Sequence, residues 1–335
     1  MKDNFILKDK KILFFSQYFF GYERIIKEKL EELKAKVVMY NEMSVKTTFG
    51  RALTKICPNL FYFKTNRYYK RIINSNKANK FDFILFIDCE MPSKKVLKKM
   101  KMTFPNARLC LYLWDSVKNL NRVDRKFKFF DYITTFDRED AKKYNLILRP
   151  LFFSDEYRNS KINSKFYEYD LCFIGTIHSD RYRILKLIEK QAKDNNWKCF
   201  FYPYLQSKFV YYIYKLIKKE FRNTKISDFY FSKLSPKEIT SIVNKSKVVV
   251  DIQHPDQDGL TMRTLEMIGM KKKILSTNAD IINYDFYDSK YIGIIDRTNP
   301  VINSCLFSNS TFYIDEHIYE NYSIQKWCVD VLGEM

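Results

Sequence analysis

The sequence predicts an α/β protein with two domains, each built on a parallel β-sheet. Apolar runs of strand length alternate with amphipathic helical segments, and this alternation restarts after a polar linker near 154–168. The chain of 335 residues is also longer than a single core usually fills. The predicted domains are 1–152 and 153–315, followed by a terminal segment, 316–335. Two such domains leave a cleft at the carboxyl ends of their sheets.

The elements of the first half follow from local apolar patterns. The helix over 22–35 is predicted because four apolar residues lie on one helical face: Ile25, Ile26, Leu30 and Leu33. A second helix is predicted at 93–104, strands at 11–16, 36–40, 81–88, 107–115 and 131–137, and the half closes at 146–153.

The second half repeats this order of strands and helices. A helix over 235–246 is predicted from Ser235 and Glu238, whose spacing is that of a capping box. The other predicted elements are strands at 169–176, 198–204, 247–252, 272–278 and 291–296, helices at 179–195 and around Glu266, and a helical end at 315–335.

Composition excludes several classes of protein. No apolar run reaches the roughly 18 residues that a membrane span needs, and the apolar start of the chain runs directly into a charged helix, unlike a signal peptide. The seven cysteines are scattered without a Cys-x-x-Cys pair, and the three histidines lack metal-ligand spacing. We therefore expect a cytoplasmic protein with reduced thiols and no structural metal.

The formal net charge of +20 favours anionic partners but does not choose among phosphate groups, acidic lipids and nucleic acid. The chain is rich in Lys, Asn, Ile, Tyr and Phe and holds only seven glycines, a composition that an AT-rich genome would impose on any protein. The basic excess is carried mainly by lysine along the whole chain, without a nucleic-acid motif.

The segment "FIGTIHSDR" at 173–181 is the first candidate for a phosphate site. The glycine fingerprints of nicotinamide enzymes and P-loop nucleotidases are absent from the sequence. Instead, a strand ends at Gly175 and Thr176, and a helix with Arg181 or Arg183 at its start follows, an arrangement suited to a phosphate. The alternative is an ordinary strand-to-helix turn capped by Ser179.

The segment "DGLTMRTLEMIG" at 258–269 is more specific. Asp258 and Glu266 are separated by seven residues, and Gly259 lies where the chain must turn. On the following helix Glu266 can accept hydrogen bonds from both hydroxyls of a ribose, while Arg263 can face a phosphate. The pattern fits a nucleoside diphosphate. The alternative is a surface acid and a helix salt bridge of Glu266 with Arg263 or Lys271.

These residues resemble the GT-B glycosyltransferases, especially the large group-1 type, whose pattern in this region is similar to E(F/G)GxxxxEAMAxG. The resemblance implies two Rossmann-like domains facing a cleft, with the terminal helix crossing back to the first domain. It also implies that Glu266 holds the ribose of a nucleotide sugar, that Asp258 lies near the transferred sugar, and that Gly259 and Leu260 offer backbone amides. We assign His254, which follows the preceding strand, to the same donor site.

Acids at the ends of two strands in the first domain are candidates for a general base. Asp115 lies in "YLWDS" beside Trp114, whose ring could stack on a sugar, and Asp88 and Glu90 lie in "FIDCEMP". An inverting transferase needs one carboxylate as the base, and any of the three could serve. The alternative is that these acids cap helices or loops.

The segment 207–223 is predicted to be an amphipathic helix. Its apolar face contains Phe209, Tyr212, Ile213 and Leu216, and its basic face contains Lys208, Lys215, Lys219 and Arg222. Such a helix can lie on an anionic membrane. The alternative is that the apolar face packs on its own domain.

Together these features predict a metal-independent glycosyltransferase that uses a nucleotide-sugar donor and acts on lipopolysaccharide, capsule or another cell-surface glycan. The acceptor would be a glycan or lipid-linked, and the enzyme cytoplasmic with peripheral contact to the inner face of the membrane. The alternatives are a nucleotide-sugar epimerase, a non-catalytic homologue and a basic nucleic-acid-binding protein. The donor, the linkage and the stereochemical outcome stay open.

Overall fold

The computed structural model describes residues 6–18, 21–44, 61–158, 167–255, 259–308 and 310–334. The chain divides into two compact units. The first contains Met1–Leu151 together with Ile324–Met335, and the second contains Phe152–Ser323.

The described strands of the first unit form one parallel sheet in the order β2-β1-β3-β4-β5-β6. Side chains from β1 and β3 are buried on both faces of the sheet, which is why these strands read as continuous apolar runs. The strands are β1 (Lys11–Ser16), β2 (Lys36–Asn41), β3 (Phe83–Ile87), β4 (Arg108–Leu113), β5 (Tyr132–Thr135) and β6 (Ile147–Leu148).

Helices alternate with these strands. Ser93 caps the helix that follows β3 by accepting a hydrogen bond from the Val96 amide, and Asp137 caps the helix after β5 through the Glu139 and Asp140 amides. The helices are α1 (Tyr22–Glu32), α2 (Tyr62–Ser75), α3 (Lys94–Thr103) and α4 (Arg138–Tyr144).

The described strands of the second unit form a parallel sheet in the order β11-β10-β9-β7-β8. Ser235 and Glu238 form the predicted capping box. The strands are β7 (Tyr169–Thr176), β8 (Cys199–Tyr204), β9 (Ser246–Asp251), β10 (Lys273–Ser276) and β11 (Ile292–Ile294), and the helices are α5 (Arg181–Asp194), α6 (Lys208–Ile217), α7 (Pro236–Asn244), α8 (Met262–Gly269) and α9 (Glu316–Asn321).

The segment expected to be one helix over 315–335 is two helices, α9 and α10 (Ile324–Asp330). Helix α9 belongs to the second unit, where the Tyr319 hydroxyl donates to the Gly269 carbonyl at 2.7 Å. Helix α10 belongs to the first unit, where Asp330 pairs with Arg149 at 2.9 Å. The helix is interrupted because its two halves pack on different units. None of the described helices has both the length and the apolar composition needed to span a membrane.

Candidate functional site

In the second unit, the carboxyl ends of β7 and β9 mark the point where the strand order reverses. Strand β7 has β8 on one side and β9 on the other, so the loops that follow β7 and β9 run in opposite directions. Ligands of parallel α/β sheets bind in the crevice at such a point. The predicted residues Gly175, Thr176 and His254 lie in or next to these loops.

Arg181, the first residue of α5, joins the two strands at this reversal. Its Nη1 donates to the carbonyl of Thr176 at the end of β7 at 2.8 Å, and its Nε donates to the carbonyl of Ile252 just beyond β9. Burial, with the nearby cations Arg263 and Arg297, lowers the pKa of Arg181 to about 10. The guanidinium therefore stays protonated at neutral pH, and a buried cation at a helix amino terminus suits an anionic ligand.

His178 and His254 stack on each other at the same place, with ring centroids 5.3 Å apart and 30° between the planes. Burial, together with the Arg181 charge, lowers the pKa of His178 to about 3. The Nδ1 atom of His178 lies 3.0 Å from the hydroxyl of Ser179. His178 is therefore a neutral hydrogen-bonding group at physiological pH.

The residue at the N-cap of α5 is Asp180, and its side chain makes no capping bond to the helix. Ser179, which the alternative interpretation expected to cap this turn, is therefore not the N-cap. The Asp180 carboxylate instead accepts from Arg297 Nη2 at 2.6 Å and Arg183 Nη2 at 3.3 Å. Burial opposes ionisation, but the bonds to Arg297 lower the pKa of Asp180 below its usual value.

Arg297 connects this loop with the neighbouring strands. Its Nη2 donates to the carbonyl of Gln253 at 3.1 Å, and its Nη1 donates to the hydroxyl of Thr277 at 3.1 Å. Gln253 follows β9 and Thr277 follows β10. Arg297 therefore holds together the loops at the carboxyl ends of three strands, including the loop that contains Asp180.

Helix α8 begins at a polar cluster that fixes the "DGLTMRTLEMIG" segment. Thr261 is the N-cap and accepts from the Thr264 amide. The buried carboxylate of Asp251, at the end of β9, accepts from the hydroxyls of Thr261 at 2.9 Å and Thr264 at 2.5 Å. The start of α8 is thus tied to the end of β9, at the same strand reversal.

Glu266 lies on α8 and is only 4% exposed. Its Oε2 forms an ion pair with Arg263 Nη1 at 2.8 Å, and the Tyr157 hydroxyl donates to its carboxylate. Burial, and then the Glu266 charge, raises the pKa of Tyr157. The salt bridge of the alternative interpretation is therefore present, but the acid is buried and not on the surface. A carboxylate can accept about four hydrogen bonds, and Arg263 and Tyr157 are two of the donors to this one.

The turn before α8 is described only in part. Asp258, which the resemblance places near the transferred sugar, lies outside the described residues. Gly259 and Leu260 are buried, and the carbonyl of Gly259 accepts from the Asn278 side-chain amide at 3.4 Å. These contacts hold the turn next to the loop that follows β10.

Gly269 ends α8 for a packing reason. A Cβ at this position would lie 2.6 Å from Cγ of Phe153, so only glycine lets the Phe153 ring pack directly on the helix. The last residue of the motif therefore contributes to the packing of α8.

In the first unit, the corresponding reversal lies at the carboxyl ends of β1 and β3. The Asp88 carboxylate accepts from the amides of Trp114 at 2.7 Å and Asp115 at 3.2 Å. Burial raises the pKa of Asp88 well above its usual range, although the bond from Trp114 opposes this shift. The Asp115 carboxylate accepts from the Ser116 amide at 2.8 Å and the Asn119 side chain at 2.9 Å. Both acids therefore cap the loop after β4, as the alternative interpretation expects.

Glu42, which sequence reasoning missed, lies beside them and is completely buried. It accepts from the Met91 amide at 2.7 Å, and Gln17 Nε2 lies 3.5 Å from Glu42 and 3.1 Å from Glu90. Burial raises the pKa of Glu42 to about 7, with Glu90 contributing to the increase. Lys126 donates to the carbonyl of Glu90. The cluster could exchange a proton near neutral pH.

The position of Glu42 directly after β2 was the signal that could have identified it, since Asp88 and Asp115 were selected by the same criterion. No such signal marks Tyr157 or Arg297, because both reach the site from distant parts of the sequence. The ring of Trp114 packs near Tyr22 and Trp327 in an aromatic cluster of the first unit. Among the described residues, no group of three or more His, Cys, Asp or Glu side chains could hold a metal ion.

No family model matches the chain, and no curated protein matches it in sequence. Solved structures match it along nearly the whole chain. The lipopolysaccharide outer core galactosyltransferase WaaB, in its apo form, shares 10% identity at a TM-score of 0.55, with 96% of this chain and 99% of that chain covered.

Two further structures are similar. Alr3699/HepE from Anabaena, solved with UDP and glucose, shares 9% identity at a TM-score of 0.54, with 97% of this chain and 96% of that chain covered. AviGT4, a glycosyltransferase involved in Avilamycin A biosynthesis, shares 8% identity at a TM-score of 0.56, with 97% of each chain covered. Such low identities establish architecture alone. Together with the two parallel sheets, they confirm the predicted fold class: this chain has the GT-B fold of glycosyltransferases.

Proposed function

We propose that the protein is a glycosyltransferase that moves a sugar from a nucleotide-sugar donor to a cell-surface glycan such as lipopolysaccharide or capsule. The observation that carries the proposal is the set of groups at the strand reversal of the second unit. The buried Glu266 lies on a helix whose start is tied to β9, and Arg181 bonds the carbonyls at the ends of β7 and β9.

In this proposal the nucleoside is recognised through its ribose. Its two hydroxyls donate to the Glu266 carboxylate, which Arg263 and Tyr157 hold in place. Charge-assisted bonds of this kind are stronger than bonds between neutral groups. The backbone of Gly259 and Leu260 and the ring of His254 line the sugar side of the donor.

The diphosphate is the leaving group, and its negative charge grows as the bond to the sugar breaks. Arg181 and Arg263 supply positive charge, and the amino terminus of α5 adds its dipole. This set of cations could replace a divalent metal, so we propose metal-independent transfer. Asp258 acts on the transferred sugar, and Asp115 is the candidate base on the acceptor.

The similar structures support the donor and acceptor classes. HepE was solved with UDP and glucose, and WaaB is named for the lipopolysaccharide outer core. The acceptor would be lipid-linked or a growing glycan, reached from the inner face of the cytoplasmic membrane.

The test combines a binding screen with product analysis. Thermal shifts are measured with UDP, GDP, ADP, CMP and their sugars, and the best donor is then incubated with and without lipopolysaccharide or capsule fragments, in the presence and absence of EDTA. Transfer that requires the acceptor and resists EDTA is expected.

Asp258→Asn should lower turnover more than nucleotide affinity. Conversion of the donor sugar without an acceptor would instead identify an epimerase, and no stabilisation by any nucleotide would contradict the proposal.

A further inference from the structure

Helix α6 carries apolar side chains on two faces, and only one of them packs on the protein. Tyr211 is buried against Phe229, and its hydroxyl donates to the Thr224 carbonyl at 2.9 Å. Val210 and Tyr214 pack on the same core of the second unit. The helix is therefore held firmly by its inner face.

The outer face is a ridge of five exposed side chains, spaced as one stripe of a helix. Phe209 is 72% exposed, Leu216 is 82% exposed and Ile217 is 69% exposed, and Tyr212 and Ile213 complete the stripe. Single exposed apolar residues are common, but a contiguous apolar patch marks an interaction surface. The alternative interpretation, in which this face packs on its own domain, is therefore wrong.

Positively charged residues lie before and after the ridge in the sequence. The stretch 206–225 contains six Lys or Arg residues and one acid, Glu220. Lys208 precedes the ridge and Lys219 and Arg222 follow it, and all three are exposed. The sequence placed Lys215 among these cations, but its Nζ turns inward to the Thr224 carbonyl at 2.7 Å.

We propose that the ridge of α6 inserts into the surface of an anionic phospholipid bilayer, with Lys208, Lys219 and Arg222 on the lipid phosphates. The ridge projects aromatic and branched aliphatic side chains between cations, which is the arrangement of a helix lying in the membrane interface. Lipid phosphates complement the positive charge at both ends, and the acyl region accepts the apolar side chains. This inference rests on the proposed function in one respect: a membrane-bound acceptor is the reason for the enzyme to bind a bilayer.

The test is co-sedimentation of the full chain with vesicles, which requires no transfer activity. Vesicles of phosphatidylcholine are compared with vesicles that contain phosphatidylglycerol. The double variant Phe209→Ser, Leu216→Ser removes the most exposed part of the ridge. The matched control is Tyr313→Ser, which removes a side chain of similar exposure, 74%, elsewhere in the second unit. A third variant, Lys208→Gln, Lys219→Gln, Arg222→Gln, removes the flanking charge.

The wild type is expected to sediment with the anionic vesicles and to release as salt rises. The ridge variant should partition at least about tenfold more weakly. Each neutralised cation should weaken partitioning about fivefold. The control should behave as wild type.

The proposal would be overturned if the wild type did not bind anionic vesicles, or if the ridge variant bound them as the wild type does. Self-association of the wild type that the ridge variant abolishes would also overturn it, since the occupant would then be a second copy of the chain. A protein that binds vesicles but no nucleotide would contradict the proposed function and leave this inference standing.

Discussion

Arg263 and Glu266 form an ion pair of 2.8 Å across one turn of α8, in a place where the carboxylate is almost completely buried. The Tyr157 hydroxyl donates to the same carboxylate. A buried carboxylate in such a network affects both folding and binding. Its substitution must therefore be measured in both ways.

Glu266→Gln is expected to weaken nucleotide binding by about 1.5–3 kcal/mol, or roughly 10- to 150-fold, because a charge-assisted acceptor of the ribose is lost. Isothermal titration with the best nucleotide measures this. The ion pair with Arg263 also gives Glu266 a part in folding. Leaving Arg263 without its anion should lower the free energy of unfolding by about 1–3 kcal/mol.

Two comparisons separate binding from folding in this variant. Glu316→Gln breaks the 3.6 Å ion pair between the exposed Glu316 and Lys271 and should change neither quantity. The double variant Arg263→Met, Glu266→Gln removes both charges and should regain part of the lost stability while nucleotide binding stays weak. A Glu266→Gln protein that binds the nucleotide as wild type does would leave the ion pair with a structural role alone.

Gly269→Ala is expected to destabilise the protein by about 1–3 kcal/mol through overpacking. The new Cβ would lie 2.6 Å from Cγ and 2.7 Å from Cβ of Phe153, atoms near the backbone that cannot move freely. Urea denaturation measures the loss. Gly293→Ala is the control, because the atoms nearest to its Cβ would be terminal methyl groups of Leu275 and Leu306, both at 3.1 Å, and the Ile274 carbonyl oxygen would lie at an ordinary contact distance of 3.9 Å. Equal losses in the two variants would contradict this account.

Glu42→Gln is expected to flatten the dependence of stability on pH. Burial raises the folded-state pKa of Glu42 from 4.5 to about 7, so the folded protein holds a proton that the unfolded chain releases. The contribution of Glu42 to stability is therefore complete below pH 4.5 and is lost as the pH rises through 7, by roughly 3 kcal/mol in total. The free energy of unfolding, measured between pH 5 and pH 8, should fall less steeply in the variant. An unchanged slope would mean that Glu42 is ionised throughout this range.

Lys218→Met is expected to weaken nucleotide binding about three- to tenfold. The Nζ of Lys218 donates to the carbonyl of Ser179 at 2.9 Å, in the loop directly before Arg181. Ser179 has a left-handed φ of 50°, so losing this bond should loosen the loop. Lys219→Met is the matched control, since the adjacent side chain is exposed. The same titration for both variants decides, and equal affinities would remove Lys218 from any role in the donor site.

The sequence predicted much of this protein where local patterns determine structure. Buried parallel strands must be apolar throughout, which is why 81–88 was recognisable as a strand. The capping box of Ser235 and Glu238 was predictable because it is formed within one helical turn. Strand ends were also predictable, and with them the positions of Asp88 and Asp115, as was the helix start at Arg181.

Contacts between distant segments were not predictable in this way. The assignment of Lys215 to a solvated face followed the helical wheel, but the wheel does not show the Thr224 carbonyl to which its ammonium donates. The continuous helix expected over 315–335 failed for the same reason, because Tyr319 and Asp330 bond to different units.

The sequence by itself therefore determined the α/β class, the alternation of strands and helices, and the acidic and basic residues at the strand ends, because period, length and capping are local properties. Only the tertiary structure decided that Arg297 bonds Asp180, that Tyr157 donates to Glu266, and that the ridge of α6 faces outward. Those outcomes depend on which surfaces meet when the sheets and helices pack. A polar or apolar side chain acquires its role from a partner that can lie anywhere along the chain.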